Sequence, residues 1–115
     1  MHELAIAENI VAVIEARATE RGALRVASVR LRVGEASGVV SDSLAFCFEV
    51  LASERPLLAS ARLDVEHTPH RAWCHDCAAE FAVRDFVARC PTCGAWSDQI
   101  VSGMELRVLE MEIET

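Results

Sequence analysis

Two pairs of cysteines constrain this 115-residue chain more than any other feature. Cys74 and Cys77 form one C-x2-C pair, Cys90 and Cys93 form the other, and the pairs follow a C-x2-C-x12-C-x2-C spacing. A two-residue gap lets one tight turn direct both sulfurs to one point, and two facing turns supply the four thiolates that tetrahedral Zn²⁺ prefers. The spacing predicts a compact two-stranded zinc ribbon; two disulfides or a redox C-x-x-C are the alternatives.

The predicted metal site is structural rather than catalytic. Four sulfurs close the coordination sphere and leave no position for water or substrate. The segment between residues 71 and 98 contains little apolar material, so a bound Zn²⁺ would supply much of its folding free energy. Gly94 follows the second pair, where the turn needs a positive φ.

Composition and charge argue against several classes of function. No apolar run approaches the roughly 20 residues that span a bilayer, and the first residues lack the basic region of a secretory signal. We therefore expect a cytoplasmic protein with no membrane association, in a compartment that keeps thiols reduced. A net charge of −7 argues against nucleic-acid binding. All eleven basic residues are arginines, so the lysine of a phosphate-binding loop is absent.

The apolar periodicity predicts an α+β fold, a sheet of about three strands covered by two helices. The expected elements are a helix over residues 4–20 that ends at Gly22, a strand at residues 29–33, a helix capped by Ser41 or Asp42 that stops before Pro56, a strand at residues 61–65, and a last strand that starts at Gly103 and changes its apolar phase at Leu109. The ribbon interrupts this order. We expect it at residues 69–98, inserted into a main domain formed by residues 1–68 and 99–115.

The first three residues, Met1, His2 and Glu3, are the second unusual feature. The amine of Met1, the amide of His2 and its imidazole lie close together along the chain. Ni²⁺ and Cu²⁺ prefer such square-planar nitrogen ligands, and Glu3 could add its amide or its carboxylate. The alternative is that His2 is a frayed residue ahead of a helix and that Glu3 only favours the helix dipole.

The whole chain resembles the HypA/HybF family of nickel metallochaperones. The resemblance rests on the MHE start, the Val33-Gly34-Glu35 loop, the LAFCFE helix, the two cysteine pairs and the GMELRVLEMEIE end, all in order. It implies a carrier and not an enzyme, with a structural Zn²⁺ and a transported Ni²⁺. It also implies that the main domain is a nickel-binding domain, with His2 as the key nickel ligand and Met1 and Glu3 as further candidates.

The resemblance also implies partners: the GTPase HypB and the large subunit of [NiFe]-hydrogenase, with urease served by some members. We expect a monomer or weak homodimer. Two features depart from the family pattern. Ala78 and Gly94 stand where some members have a histidine after a cysteine pair, and Asp42 is a poor match for an acidic residue that approaches the nickel in some members.

The remaining candidate residues have structural interpretations beside functional ones. Cys47 is expected to be buried on the second helix. His67 and His70 are expected to be solvated hinge residues, with an auxiliary metal site as the alternative, and His75 lies inside the first cysteine pair. Trp73 and Trp96 are expected to pack over the turns of the ribbon, or else to bind a partner. Glu110, Glu112 and Glu114 are expected to be solvated, and could protect a sheet edge.

The sequence lacks features that two other classes of function require. A nucleic-acid-binding ribbon would need a basic face, but the ribbon carries three arginines against four acidic residues (Arg71, Arg84 and Arg89; Asp76, Glu80, Asp85 and Asp98). A metalloenzyme could use His2, His67 and His70 as an open site, but no positioned acid–base pair or glycine-rich phosphate cradle accompanies them.

Overall fold

The computed structural model describes residues 2–115. Its elements are α1 (Glu3–Glu20), β1 (Arg25–Gly34), α2 (Ser41–Ser53), β2 (Arg62–Thr68), β3 (Arg71–Cys74), β4 (Ala79–Ala82), β5 (Ile100–Ser102) and β6 (Leu106–Glu114). The chain divides into two compact units. The helical unit contains the residues up to Arg32, Val39–Glu66 and Arg107–Thr115, and the ribbon unit contains Val33–Gly38 and His67–Leu106.

Helix α1 forms because its apolar residues recur every three or four positions. Ala7, Val11, Ile14 and Ala18 are buried on one face. The helix ends at Glu20, and the positive φ of Gly22, +68°, lets the chain turn away. The predicted helix and its end are confirmed.

Helix α2 begins at Ser41 without the side-chain cap that the sequence predicts. Val40 is the N-cap residue, and neither Ser41 nor Asp42 caps the helix, so that prediction is wrong. The Val40 N–H instead donates a hydrogen bond of 3.2 Å to Oε2 of Glu3, on α1. The inner face of α2 buries Leu44, Phe48 and Ala52.

The sheet of the helical unit has three strands in the order β2-β1-β6. The Val26 N–H donates to the Leu57 carbonyl, and Arg32 pairs with Glu66, so the chain from residue 57 to 66 runs parallel to β1 and α2 is the crossover helix. At the other side of β1, the Leu24 N–H donates to the Glu114 carbonyl at the end of β6.

The last strand, β6, shows the predicted change of apolar phase but not the predicted start. Val108 and Leu109 are neighbours and both half-buried, so the predicted change of apolar phase is present. The strand begins at Leu106 and not at Gly103. Gly103 has a φ of +106°, and a Cβ atom there would collide with the backbone of His70, so this position precedes the strand and excludes a side chain.

The ribbon unit contains an antiparallel sheet of three strands rather than the predicted two. Its order is β4-β3-β5, and the third strand, β5, lies beyond residue 98. The buried residues of this unit form a small cluster: Ala72, Cys74, Phe81, Val83 and Cys90. Two of these five are cysteines, so little apolar side-chain material is left to stabilise this unit.

The predicted fold class is confirmed: two helices, a three-stranded sheet and a separate ribbon with clustered cysteines. Among the described residues, neither helix is both long and apolar enough to cross a membrane.

Candidate metal centres

The ribbon unit brings four sulfurs together. The Sγ atoms of Cys74, Cys77, Cys90 and Cys93 all lie within 4.8 Å of one another. The Cys74–Cys93 distance is 3.5 Å and the Cys77–Cys90 distance is 4.0 Å, and all four cysteines are free thiols. Sulfurs bound to Zn²⁺ at about 2.3 Å in a tetrahedron are about 3.8 Å apart, so this set fits the ion.

Two similar turns hold the sulfurs in place. The Cys77 N–H donates to the Cys74 sulfur at 3.4 Å in the first turn. Each turn then continues through a residue of positive φ, Ala78 at +52° and Gly94 at +78°. The expectation for Gly94 is confirmed, whereas Ala78 adopts a left-handed conformation that costs an alanine about 1 kcal/mol.

Burial alternates within each cysteine pair. Cys74 and Cys90 are buried in the core of the ribbon unit, and Cys77 and Cys93 are exposed. The site therefore has an anchored side and an open side. Its closed set of four sulfurs supports a structural rather than a catalytic metal.

The thiols of this cluster differ in acidity. Backbone N–H groups of Cys93 and Thr92 lower the pKa of Cys90 to about 6. Hydrogen bonds with the sulfurs of Cys93 and Cys74 raise the pKa of Cys77 to about 12. A metal that binds all four sulfurs must displace the proton of Cys77, so metal binding weakens as pH falls.

The second candidate site lies at the start of α1. His2 is exposed and immediately precedes the helix, and its carbonyl accepts a hydrogen bond of 3.1 Å from the Ile6 N–H. Met1, the other candidate ligand, lies outside the described residues. Glu3 is only 9% exposed, and its carboxylate accepts the Val40 hydrogen bond described above.

This bond is a role that the sequence analysis missed for Glu3. Its partner lies 37 residues away along the chain, and no local motif announces it. The one available signal was the sequence just before α2, where Val39 and Val40 offer no side-chain oxygen to cap the helix.

The structure corrects three expectations about single residues. His70 is not solvated: it is 7% exposed, and its ring meets that of Phe86 edge-on at 5.7 Å. Trp96 does not pack as a buried cover: it is 70% exposed, although its ring stacks with the Arg89 guanidinium at 5.7 Å. Cys47 is half-buried rather than buried.

The other candidates are placed as follows. His67 is exposed, as expected for a solvated residue. His75 is also exposed, and Trp73 is half-buried in β3. Among the described residues, the cysteine set is the one group of three or more potential ligands within binding distance, so the histidines do not assemble a preformed site. Glu110 and Glu114 are exposed and pair with Arg30 and Arg25, at 2.9 and 2.7 Å.

Comparison with known proteins gives a consistent result. A family model described as hydrogenase/urease nickel incorporation, metallochaperone, HypA matches residues 1–113. The hydrogenase maturation factor HypA of Geobacter metallireducens is 45% identical over 114 residues, with 99% of this chain and 100% of that protein covered. The factor of the same name from Azotobacter chroococcum is 42% identical with the same coverage.

Two solved structures of HypA proteins are similar to this chain over nearly its whole length. The solution structure of the Ni metallochaperone HypA from Helicobacter pylori has a TM-score of 0.70 at 25% identity, with 99% of this chain and 98% of that chain covered. A second solution structure of a HypA protein has a TM-score of 0.73 at 26% identity, with 98% and 96% covered.

Proposed function

Because this chain belongs to the HypA family of nickel-incorporation metallochaperones, we propose that it binds Ni²⁺ at its N-terminus and delivers it for assembly of the [NiFe]-hydrogenase active site. Zn²⁺, bound by Cys74, Cys77, Cys90 and Cys93, would serve a structural role in the ribbon unit. The family is one of metallochaperones and not of enzymes.

The proposed nickel ligands are the amine of Met1, the amide and imidazole of His2, and a fourth group at Glu3. The observation that carries this proposal is the position of His2, which is exposed directly before α1 while its carbonyl is held by the first turn. The Glu3 carboxylate already accepts the Val40 N–H. Its amide belongs to the first turn of α1, where N–H groups lack an intrahelical acceptor, so we assign the fourth position to the amide nitrogen.

Nickel titration of the native protein and three variants tests this site. His2→Ala should lose most nickel affinity without unfolding, because residue 2 precedes the helix, and one extra residue at the N-terminus should have nearly the same effect. His67→Ala, which removes another exposed histidine, is the matched control and should bind like the native protein. Affinity should rise with pH because amine, amide and imidazole must all lose protons. Unchanged binding in the His2→Ala or extended protein would place the site elsewhere.

The proposed partners are the GTPase HypB and the hydrogenase large subunit, with the chain acting in the cytoplasm as a monomer or weak homodimer. Ligands at a chain terminus are open to attack by an incoming ligand, which supports transfer of nickel between proteins. The chain has no lysine for a phosphate-binding loop, which supports assigning the nucleotide chemistry to HypB. Cells lacking the gene should lose hydrogenase activity at limiting nickel and regain part of it with excess nickel. Full nickel loading of the hydrogenase without the protein would contradict the carrier role.

A further inference from the structure

One surface of the helical unit is not used by either metal site. It is a groove of about 450 Å³ between the second half of α1 and the middle of β6. Val13, Ile14, Arg17 and Arg21 line its α1 side, and the segment from Val108 to Met111 lines its β6 side. Val13, on the α1 side, is 51% exposed.

The β6 side of this groove is a sheet edge. In the order β2-β1-β6, β6 has β1 as its one neighbour among the described strands, so half of its backbone N–H and C=O groups face away from the sheet. An added strand would continue the sheet and place alternate side chains against α1. This is the geometry in which extended peptides add to sheet edges.

The charges of the groove select the kind of segment that fits. Arg17 and Arg21 form no ion pair within residues 2–115, whereas Arg25, Arg30, Arg32 and Arg55 each have a carboxylate partner. Arg17 and Arg21 therefore give the groove a local positive charge in a chain of net charge −7. On the outward face, Glu110, Glu112 and Glu114 alternate along β6.

Arg17 and Arg21 lie toward the C-terminal end of β6. Leu24 follows α1 closely and donates to Glu114, so the C-terminal end of α1 lies toward the C-terminal end of β6. An antiparallel strand on β6 would therefore bring its own N-terminal part to Arg17 and Arg21. A second copy of β6 fits poorly, because antiparallel self-pairing would set acidic residues against acidic residues.

We propose that this edge groove binds an extended segment of a partner protein that adds antiparallel to β6. The segment presents apolar residues inward at alternate positions, an acidic residue inward near its N-terminal end, and basic or neutral residues outward. The inward acid pairs with Arg17 and Arg21, and the outward bases face the glutamates of β6. Arg17 lies about 22 Å along the helix from His2, so this docking is separate from nickel binding.

A synthetic peptide of sequence acetyl-KEKVTVTVK-amide is the probe, with a fluorescent label for anisotropy. The double variant Arg17→Glu/Arg21→Glu should weaken its binding about tenfold or more, because the inward acid then meets two like charges. Arg84→Glu is the matched control and should have little effect, because Arg84 is an exposed arginine of the ribbon unit that also forms no ion pair within residues 2–115. The order-reversed peptide, acetyl-KVTVTVKEK-amide, has the same composition and should bind more weakly, since its acid falls at the wrong end.

Two N-methylated versions of the probe test strand addition itself. The two versions carry methyl groups on alternate amides, in one version on the odd-numbered residues and in the other on the even-numbered ones. One version should lose binding and the other should bind nearly as well as the unmethylated probe, because successive N–H groups of a strand point to opposite sides.

Absence of probe binding, equal binding to the double variant, or equal binding of both methylated versions would overturn the proposal. So would a dimer in sedimentation experiments that the same double variant dissociates, since a second copy would then occupy the groove. His2→Ala should leave probe binding intact, and the double variant should leave nickel binding intact, so a failure here is distinct from a failure of the nickel site.

Discussion

Ala78 holds a position in the first cysteine turn that suits glycine better. Its φ of +52° matches the role of Gly94 in the second turn. Ala78→Gly should therefore stabilise the ribbon unit by about 0.5–1 kcal/mol, because relief of left-handed strain exceeds the entropy that glycine adds to the unfolded chain. Denaturant unfolding followed by tryptophan fluorescence measures this unit, which contains both tryptophans. Ala79→Gly, at the start of β4, should destabilise instead, and a stabilising effect there would remove the conformational explanation.

Glu3 is predicted to matter for stability as well as for its place beside His2. Glu3→Ala should lower the free energy of unfolding by about 1 kcal/mol, because the Val40 N–H then loses its acceptor at the start of α2. Glu3→Gln keeps a carbonyl oxygen and should cost less. Urea unfolding followed by circular dichroism gives both values. Equal losses in the two variants would show that charge, and not the hydrogen bond, is what Glu3 supplies.

At this scale the sequence predicts residues whose partners are near in the chain. The cysteine turns follow from spacing alone, and so does the positive φ of Gly94. The burial of His70 and the contact of Glu3 with Val40 do not, because each depends on residues brought together by the fold. His70 is fixed by Gly103, which approaches its backbone closely, and by the ring of Phe86.

The ion pair between β1 and β6 gives the sheet a dependence on pH. Arg25 donates to both carboxylate oxygens of Glu114, at 2.9 and 2.7 Å, and these bonds lower the pKa of Glu114 below its ordinary value of 4.5. A lowered pKa in the folded state means that the stabilisation is present above the ordinary pKa and is lost as pH falls through the lowered one. Glu114→Gln should reduce stability slightly at neutral pH, and the difference should vanish in acid. Urea unfolding at several pH values measures it. Glu8→Gln is the control and should show no such trend, because Glu8 is exposed and has no ion pair in the part of the chain that the structure describes.

The elements that sequence analysis predicts well are those with long periodic patterns. Helix α1 repeats its apolar spacing over 18 residues. In β6, the alternation of apolar and polar residues in the sequence already shows where the apolar phase changes. Strand β5 has only three residues, too few to show a period, and it exists because β3 offers an edge for pairing. The predicted side-chain cap of α2 was wrong for a similar reason. The carboxylate that accepts a hydrogen bond at the start of α2 belongs to Glu3, on another element.

The two units should respond differently to loss of metal. If a strong chelator removes Zn²⁺, the ribbon unit should unfold, because two of its five core residues are cysteines of the metal site. The helical unit should persist, since it keeps its own core of Val11, Ile14, Leu31, Leu44 and Phe48. Tryptophan fluorescence reports the ribbon unit, and far-ultraviolet circular dichroism reports the two helices. Cys90→Ser should reproduce the result, and simultaneous loss of both signals would contradict independent folding.

At the scale of the whole molecule, the sequence predicts the fold class, the two helices and the clustered cysteines, because each leaves a pattern along the chain. It does not predict the groove between α1 and β6. In the sequence, Val13, Arg17 and Val108 have no pattern that distinguishes them from other surface residues. They form a groove only because the strand order places β6 at the edge of the sheet. A surface formed by elements that are distant in the sequence can be identified only from the structure.

The uneven burial of the four cysteines has a consequence for how fast a metal would come and go. Cys74 and Cys90 are fixed in the ribbon core, whereas Cys77 and Cys93 can be approached from solvent. A competing thiol or chelator can replace the two outer sulfurs one after the other while the inner pair still holds the ion. The site would then be tight at equilibrium yet labile, with a release rate that grows with the concentration of the competitor.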